Sequence, residues 1–170
     1  MMSLRVLLTA AAAFAAFLTM AESSFAQIVP FRSVGENNLY NPATAGFGGD
    51  GITTHMGATS GLGLAIPAPT DDPLVLDWTG GGEFASPNGD KTFFSGGGKV
   101  YLEPLGGTMF TATWVAEFDI IGGTGRFANA GPGTAPLDVI AINHPFDMAT
   151  DPLWAYDYLI TGDIDLGKRK

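Results

Sequence analysis

Between Phe110 and Ile120 the side chains alternate with a period of two: Phe110, Ala112, Trp114, Ala116, Phe118 and Ile120 fall on one face, and Thr111, Thr113, Glu117 and Asp119 on the other. Only an extended strand sends successive side chains to opposite faces, so this run is a β-strand with one side against a core and one toward water. It continues into Gly122-Gly123-Thr124-Gly125-Arg126-Phe127, a glycine-dense turn that predicts a hairpin. The run constrains architecture and leaves chemistry open, because it holds no nucleophile, acid/base pair or metal-ligand set.

Ahead of the strands, Arg5 precedes an apolar run over residues 6–18, and Ser24-Phe25-Ala26 places small residues three and one positions before Gln27. This pattern predicts a signal peptide over 1–26, cleaved near Ala26, and a secreted or periplasmic domain over 27–170. The apolar run is shorter than the roughly 20 residues a bilayer span requires, and no membrane span is expected in the mature chain. Cleavage removes one basic residue, Arg5, and one acidic residue, Glu22, so the net charge of −9 is unchanged. Such a surface repels phosphates and anionic headgroups, and the one basic cluster is the terminal Lys168-Arg169-Lys170. Nucleic acid is therefore not an expected partner. The chain has no cysteine, so packing and hydrogen bonding must stabilise the fold without disulfides.

All 24 glycines and all 11 prolines follow Ala26, which disfavours helices and places turn signals at short intervals. The expected strands are 28–34, 51–57 continued by 61–66, 74–85, 91–95, 99–103, 108–121, 126–130 with 134–142, and 153–164. Residues 35–50 and 143–152 read as irregular connections. Pro67, Pro69 and Pro73 supply no backbone donor, so 67–73 reads as a loop, and Gly96-Gly97-Gly98 reads as a break. Asn88-Gly89 marks a tight reversal. Within 74–85, Trp78, Gly80, Gly82 and Phe84 share a face, and within 153–164 Trp154, Tyr156, Tyr158 and Ile160 share another, which faces the core. About eight short antiparallel strands without covering helices predict an all-β fold. A single antiparallel β-barrel, preceded by the signal-peptide helix, removes the exposed edges; a β-sandwich is the alternative.

Four segments in order, Thr54-His55-Met56-Gly57, Ser86-Pro87-Asn88-Gly89-Asp90, Gly122-Gly123-Thr124-Gly125-Arg126-Phe127-Ala128-Asn129-Ala130 and Tyr158-Leu159-Ile160-Thr161-Gly162-Asp163-Ile164, resemble small secreted bacterial proteins of the allene oxide cyclase/dirigent-like barrel family. The resemblance covers most of the mature chain, and its third segment is the most specific. It implies an eight-stranded antiparallel barrel with a small interior, and assembly into homo-oligomers, as in the better-studied members. It transfers no catalytic residue, since the polar set inside the plant cyclases has no residue-by-residue match here.

The candidate site residues fall into two groups. Trp78, Trp114, Trp154, Tyr156 and Tyr158 either fill the interior or line an apolar ligand pocket, as interiors of this size hold side chains or one small molecule. His55, Glu83 and Arg126 are the groups to inspect for acid/base or steering chemistry, with Arg126 expected to pair across its hairpin with Glu117 or Asp119. His55 is expected mid-strand and His144 in an exposed loop. Two histidines without cysteine make a poor zinc set, Asp71-Asp72, Asp147/Asp151 and Asp163/Asp165 lack the ligand density of a calcium loop, and Gly123-x-Gly125-x-x-Ala128 has no following helix for a dinucleotide. No metal or cofactor is expected. The expected function is binding of a small apolar or aromatic molecule, or assembly. The alternatives are a cyclase or isomerase, and a structural envelope or extracellular protein.

Overall fold

The computed structural model describes residues 27–167; the signal-peptide reading of 1–26, and Lys168-Arg169-Lys170, lie outside the described residues. Eight long strands and one very short one make a single antiparallel sheet: β1 (Ile28–Asn41), β2 (Gly46–Thr53), β3 (Gly57–Pro69), β4 (Val75–Ala85), β5 (Lys91–Gly106), β6 (Met109–Gly123), β7 (Gly131–Pro132), β8 (Leu137–Asp147) and β9 (Trp154–Asp165). Neighbours follow chain order from β1 to β6, continue to β8 and β9, and β9 pairs back onto β1. This last pairing runs from Ile28 opposite Asp165 to Tyr40 opposite Trp154. The sheet thus closes in a ring, and neither of its outer long strands is left as a free edge. One sheet, not the two of a sandwich, accounts for all the strands. Among the described residues no helix is long and apolar enough to cross a membrane.

The alternation of β6 places its rings inward. Ala112, Trp114, Ala116, Phe118 and Ile120 are buried, while Val115, Glu117 and Asp119 face out. Trp78 and Phe84 from β4, Phe94 and Val100 from β5, Leu137, Val139 and Ala141 from β8, and Ile160 and Ile164 from β9 complete the core.

Gly96-Gly97-Gly98 does not break the chain, and β5 passes through it unbroken. Gly96 stands opposite Gly80, and Gly98 opposite Trp78. A side chain at Gly96 would strike the Glu117 carbonyl and come within 2.6 Å of the Phe118 ring, and one at Gly82 would strike the Leu62 carbonyl and come within 2.9 Å of the Phe94 ring. The bare backbone lets neighbouring strands approach closely and leaves room for flat rings on the inside. A triplet that reads as a break in an open sheet becomes a bend in a tightly coiled one.

Other boundaries also differ from expectation. The polar segment 35–50 is not a loop: β1 runs to Asn41 through a bulge, with register shifts between Val34 and Leu39 against β2 and between Gly35 and Asn38 against β9. Asn37 sits in the bulge at φ 54°, and such polar bulge residues look like loop. β3 continues through Pro67 and Pro69, which pair with Trp78 and Leu76. The Ala65 N–H donates to the Ala45 carbonyl at 2.8 Å, so positions 67 and 69 point toward β2, which has already ended opposite Leu64. The prolines lack a donor only where no partner strand runs. β8 likewise extends to Asp147, which makes 143–147 strand.

The run after β6 is not a hairpin. Gly122 and Gly123 finish β6, Gly125–Phe127 form one turn of 3-10 helix, and Phe127 is buried. Residues 126–130 are therefore not a strand; the chain crosses from β6 to β8 over this turn, and Gly131-Pro132 pairs with the end of β9.

Gly96→Ala is expected to destabilise the fold by about 1–3 kcal/mol, because the opposing atoms are backbone and cannot swing away. Gly131→Ala, with nothing within 4 Å of the added carbon, is expected to stay within about 0.5 kcal/mol of the parent. Urea denaturation of the two variants checks the contrast; equal midpoints would contradict it.

Candidate functional site: an aromatic-walled cavity

Inward alternation from seven strands brings aromatic rings into a continuous series. Phe84 stacks on Phe94 at 4.9 Å, Phe94 on Phe118 at 4.7 Å, Phe118 meets Trp78 edge-on at 5.8 Å, and Trp78 meets Trp114 at 5.6 Å. Tyr40 then contacts Trp114 at 5.3 Å and Trp154 at 5.6 Å, and Trp154 stacks on Phe146 at 4.1 Å. Pairs of this kind add about 0.5–1.5 kcal/mol each beyond their burial. The rings do not fill the interior. They enclose a cavity of about 70 Å³ walled by Asn38, Tyr40, Phe47, Trp78, Phe84, Phe94, Trp114, Phe118, Tyr156 and Tyr158, with Ala65, Val139, Ala141 and Ile160 between them.

Most polar atoms around this cavity are matched. Trp114 Nε1 donates to Asn143 Oδ1 at 2.6 Å, and Asn143 Nδ2 donates to the Ala155 carbonyl at 3.2 Å. The Tyr40 hydroxyl donates to the Ala65 carbonyl at 3.1 Å. The Tyr158 hydroxyl lies 3.2 Å from Ser33 Oγ, which continues to Thr53 at 2.7 Å and Thr59 at 3.0 Å, a buried row of hydroxyls. Trp78 differs. Its side chain is buried and its Nε1 has no acceptor, an arrangement that costs about 1–3 kcal/mol. Trp154 Nε1 is also unpartnered, but Trp154 is not part of the cavity wall. Burial pushes the hydroxyl pKa of Tyr40, Tyr156 and Tyr158 upward, most strongly for Tyr156, where the neighbouring Tyr158 adds to it. All three stay neutral donors at physiological pH.

Of the residues singled out by sequence, Trp78, Trp114, Tyr156 and Tyr158 meet at the cavity, and Trp154 stands behind Tyr40. The other three stand apart from it. His55 is not mid-strand: it occupies the tight turn between β2 and β3 at φ 65°, exposed, with Nε2 2.9 Å from the Pro30 carbonyl. Glu83 pairs with Lys91 at 2.6 Å on the outside of the ring. Arg126 pairs with Asp90 at 3.3 Å, not with Glu117 or Asp119, and its guanidinium lies 5.0 Å from the Phe127 ring centre. The 3-10 turn carries Arg126 to the β4–β5 reversal, which a hairpin would not have done. His144 lies in β8, with Nε2 3.1 Å from Asp157 Oδ2.

Sequence reasoning missed Asn38, Tyr40 and Asn143. Tyr40 follows Asn38 by two positions, the spacing of a strand face, but the segment had been read as loop; Asn143 lay beyond the expected end of its strand. No protein-family model, curated protein or solved structure matches the chain.

Two outcomes are expected. A tyrosine whose folded pKa is raised stabilises the fold below its unfolded value of about 10 and loses that contribution as pH climbs toward the folded value. Urea midpoints should therefore fall between pH 9 and 11, with late tyrosinate absorbance appearing as the protein unfolds; complete tyrosine ionisation in the folded protein at pH 11 would contradict this. Asp157 Oδ1 accepts the Asn37 N–H at 2.8 Å, and this bond, followed by His144, lowers the Asp157 pKa. Asp157→Ala should speed hydrogen exchange at the Asn37 amide and leave the β1–β9 amides near Phe31 unchanged.

Proposed function

We propose that the closed sheet is an exported β-barrel of the allene oxide cyclase/dirigent-like type that holds one compact, mostly apolar molecule in its interior. The signal-like start and the four recurring segments support the family and export parts of this reading. The observation that carries the binding part is the cavity itself, walled by Tyr40, Phe47, Trp78, Phe94, Trp114 and Phe118. An apolar cavity is a standing defect in packing, and an occupant of matching shape recovers the dispersion energy its walls forgo.

Its size narrows the ligand. About 70 Å³ is roughly half the 150 Å³ that accommodates benzene, which suits a molecule of about three or four non-hydrogen atoms. At a ceiling of about 1.5 kcal/mol per atom, four atoms give a Kd of tens of micromolar at the tightest. Binding is favoured over turnover because the wall carries no carboxylate, imidazole or amine: its ionisable groups are tyrosines kept neutral by burial. His55, Glu83 and Arg126 are engaged elsewhere.

The test is a thermal-shift titration with four-atom probes, acetone, 2-methylpropene and propan-2-ol, on the parent and on Ala141→Val, which fills part of the cavity. A probe at ten times its Kd should raise Tm by about 3–6 °C in the parent and by much less in the variant. No shift with any probe, or an equal shift in both proteins, would overturn the proposal.

A further inference from the structure

The wall of the cavity is asymmetric in one respect. Of the two tryptophans that line it, Trp114 has its indole N–H held by Asn143 Oδ1 at 2.6 Å, whereas the indole N–H of Trp78 is buried with no acceptor. The residues bounding Trp78 on its ring faces are Trp114 and Phe118, neither of which offers an acceptor oxygen. The polar atoms across the cavity are Tyr158, engaged with Ser33, and Tyr40, engaged with the Ala65 carbonyl. No described protein group answers the Trp78 donor.

We propose that the occupant supplies the missing acceptor: the cavity takes a compact molecule with an apolar body and one carbonyl- or ether-type oxygen, which accepts from Trp78 Nε1. This inference rests on the binding function proposed above and adds to it the polarity of the ligand. A buried donor left unpaired discriminates sharply against an isostere that lacks the partner atom, because the unmet desolvation cost of the donor is relieved by one ligand and not by the other. A single water is the weaker solution, since a buried water needs two to four polar partners and the wall is almost entirely apolar. Trp154 provides an internal control: its N–H is equally unpartnered, but it is not part of the wall.

Acetone and 2-methylpropene form the matched pair, alike in shape and differing in one carbonyl oxygen. With three tryptophans in the chain, the indole N–H region of a ¹⁵N–¹H spectrum of the protein contains three assignable signals. Acetone should saturate the site and move the Trp78 indole proton downfield, leaving those of Trp114 and Trp154 nearly in place, and should bind roughly two- to tenfold more tightly than 2-methylpropene. Trp78→Phe should remove this preference, and Trp154→Phe should preserve it. If both probes saturate with equal affinity and the Trp78 signal does not move, the acceptor inference fails and the binding function stands. If neither probe saturates, both fail. The comparison of the two probes on the unaltered protein keeps the test decisive even where a variant is unstable.

Discussion

The structure depends on large rings lying over bare backbone. Phe94 and Phe118 occupy the space that side chains at Gly82 and Gly96 would take, and Phe84 crowds the corresponding position at Gly61. This exchange sets the curvature of β3, β4 and β5, because strands without side chains on the concave face can approach more closely. Curvature in turn brings β9 back to β1, and the pairing from Ile28–Asp165 to Tyr40–Trp154 closes the ring. The cavity is what remains in the middle, since rings of fixed shape tile a curved wall imperfectly.

The strongly alternating strands were legible in the sequence. β4, β6 and β9 present the inward faces their period of two implies, and the aromatic residues read as core do stand in the core. Errors concentrated where a residue type has one meaning in an open sheet and another in a coiled one. Gly96-Gly97-Gly98 bends β5 without ending it, Pro67 and Pro69 sit where β3 has already lost one neighbour, and Glu36-Asn37-Asn38 forms a bulge within β1. Each was read as a break because glycine, proline and asparagine usually mark one. Which strand lies alongside is a tertiary fact, invisible to local pattern.

The site was legible only in its apolar half. Trp78, Trp114, Tyr156 and Tyr158 could be selected for their aromatic alternation, but the pairing of Trp114 with Asn143, against the empty donor of Trp78, depends on the depth to which β8 runs. Arg126 shows the same limit. Its partner, Asp90, belongs to the reversal between β4 and β5, and only the 3-10 turn after β6 brings the two together. The acid/base candidates were thus chosen for what they are, while their placement on the outside of the ring follows from topology.

The account stands on an interior that is dry, apolar and accessible to a small guest. A crystal of the protein pressurised with xenon tests this most directly, because xenon enters apolar cavities and has no hydrogen bonds to offer. One xenon site bounded by Trp78, Trp114 and Phe118, with no ordered water beside it, is the expected result. A cavity filled by hydrogen-bonded waters, or one that excludes xenon, would contradict the account.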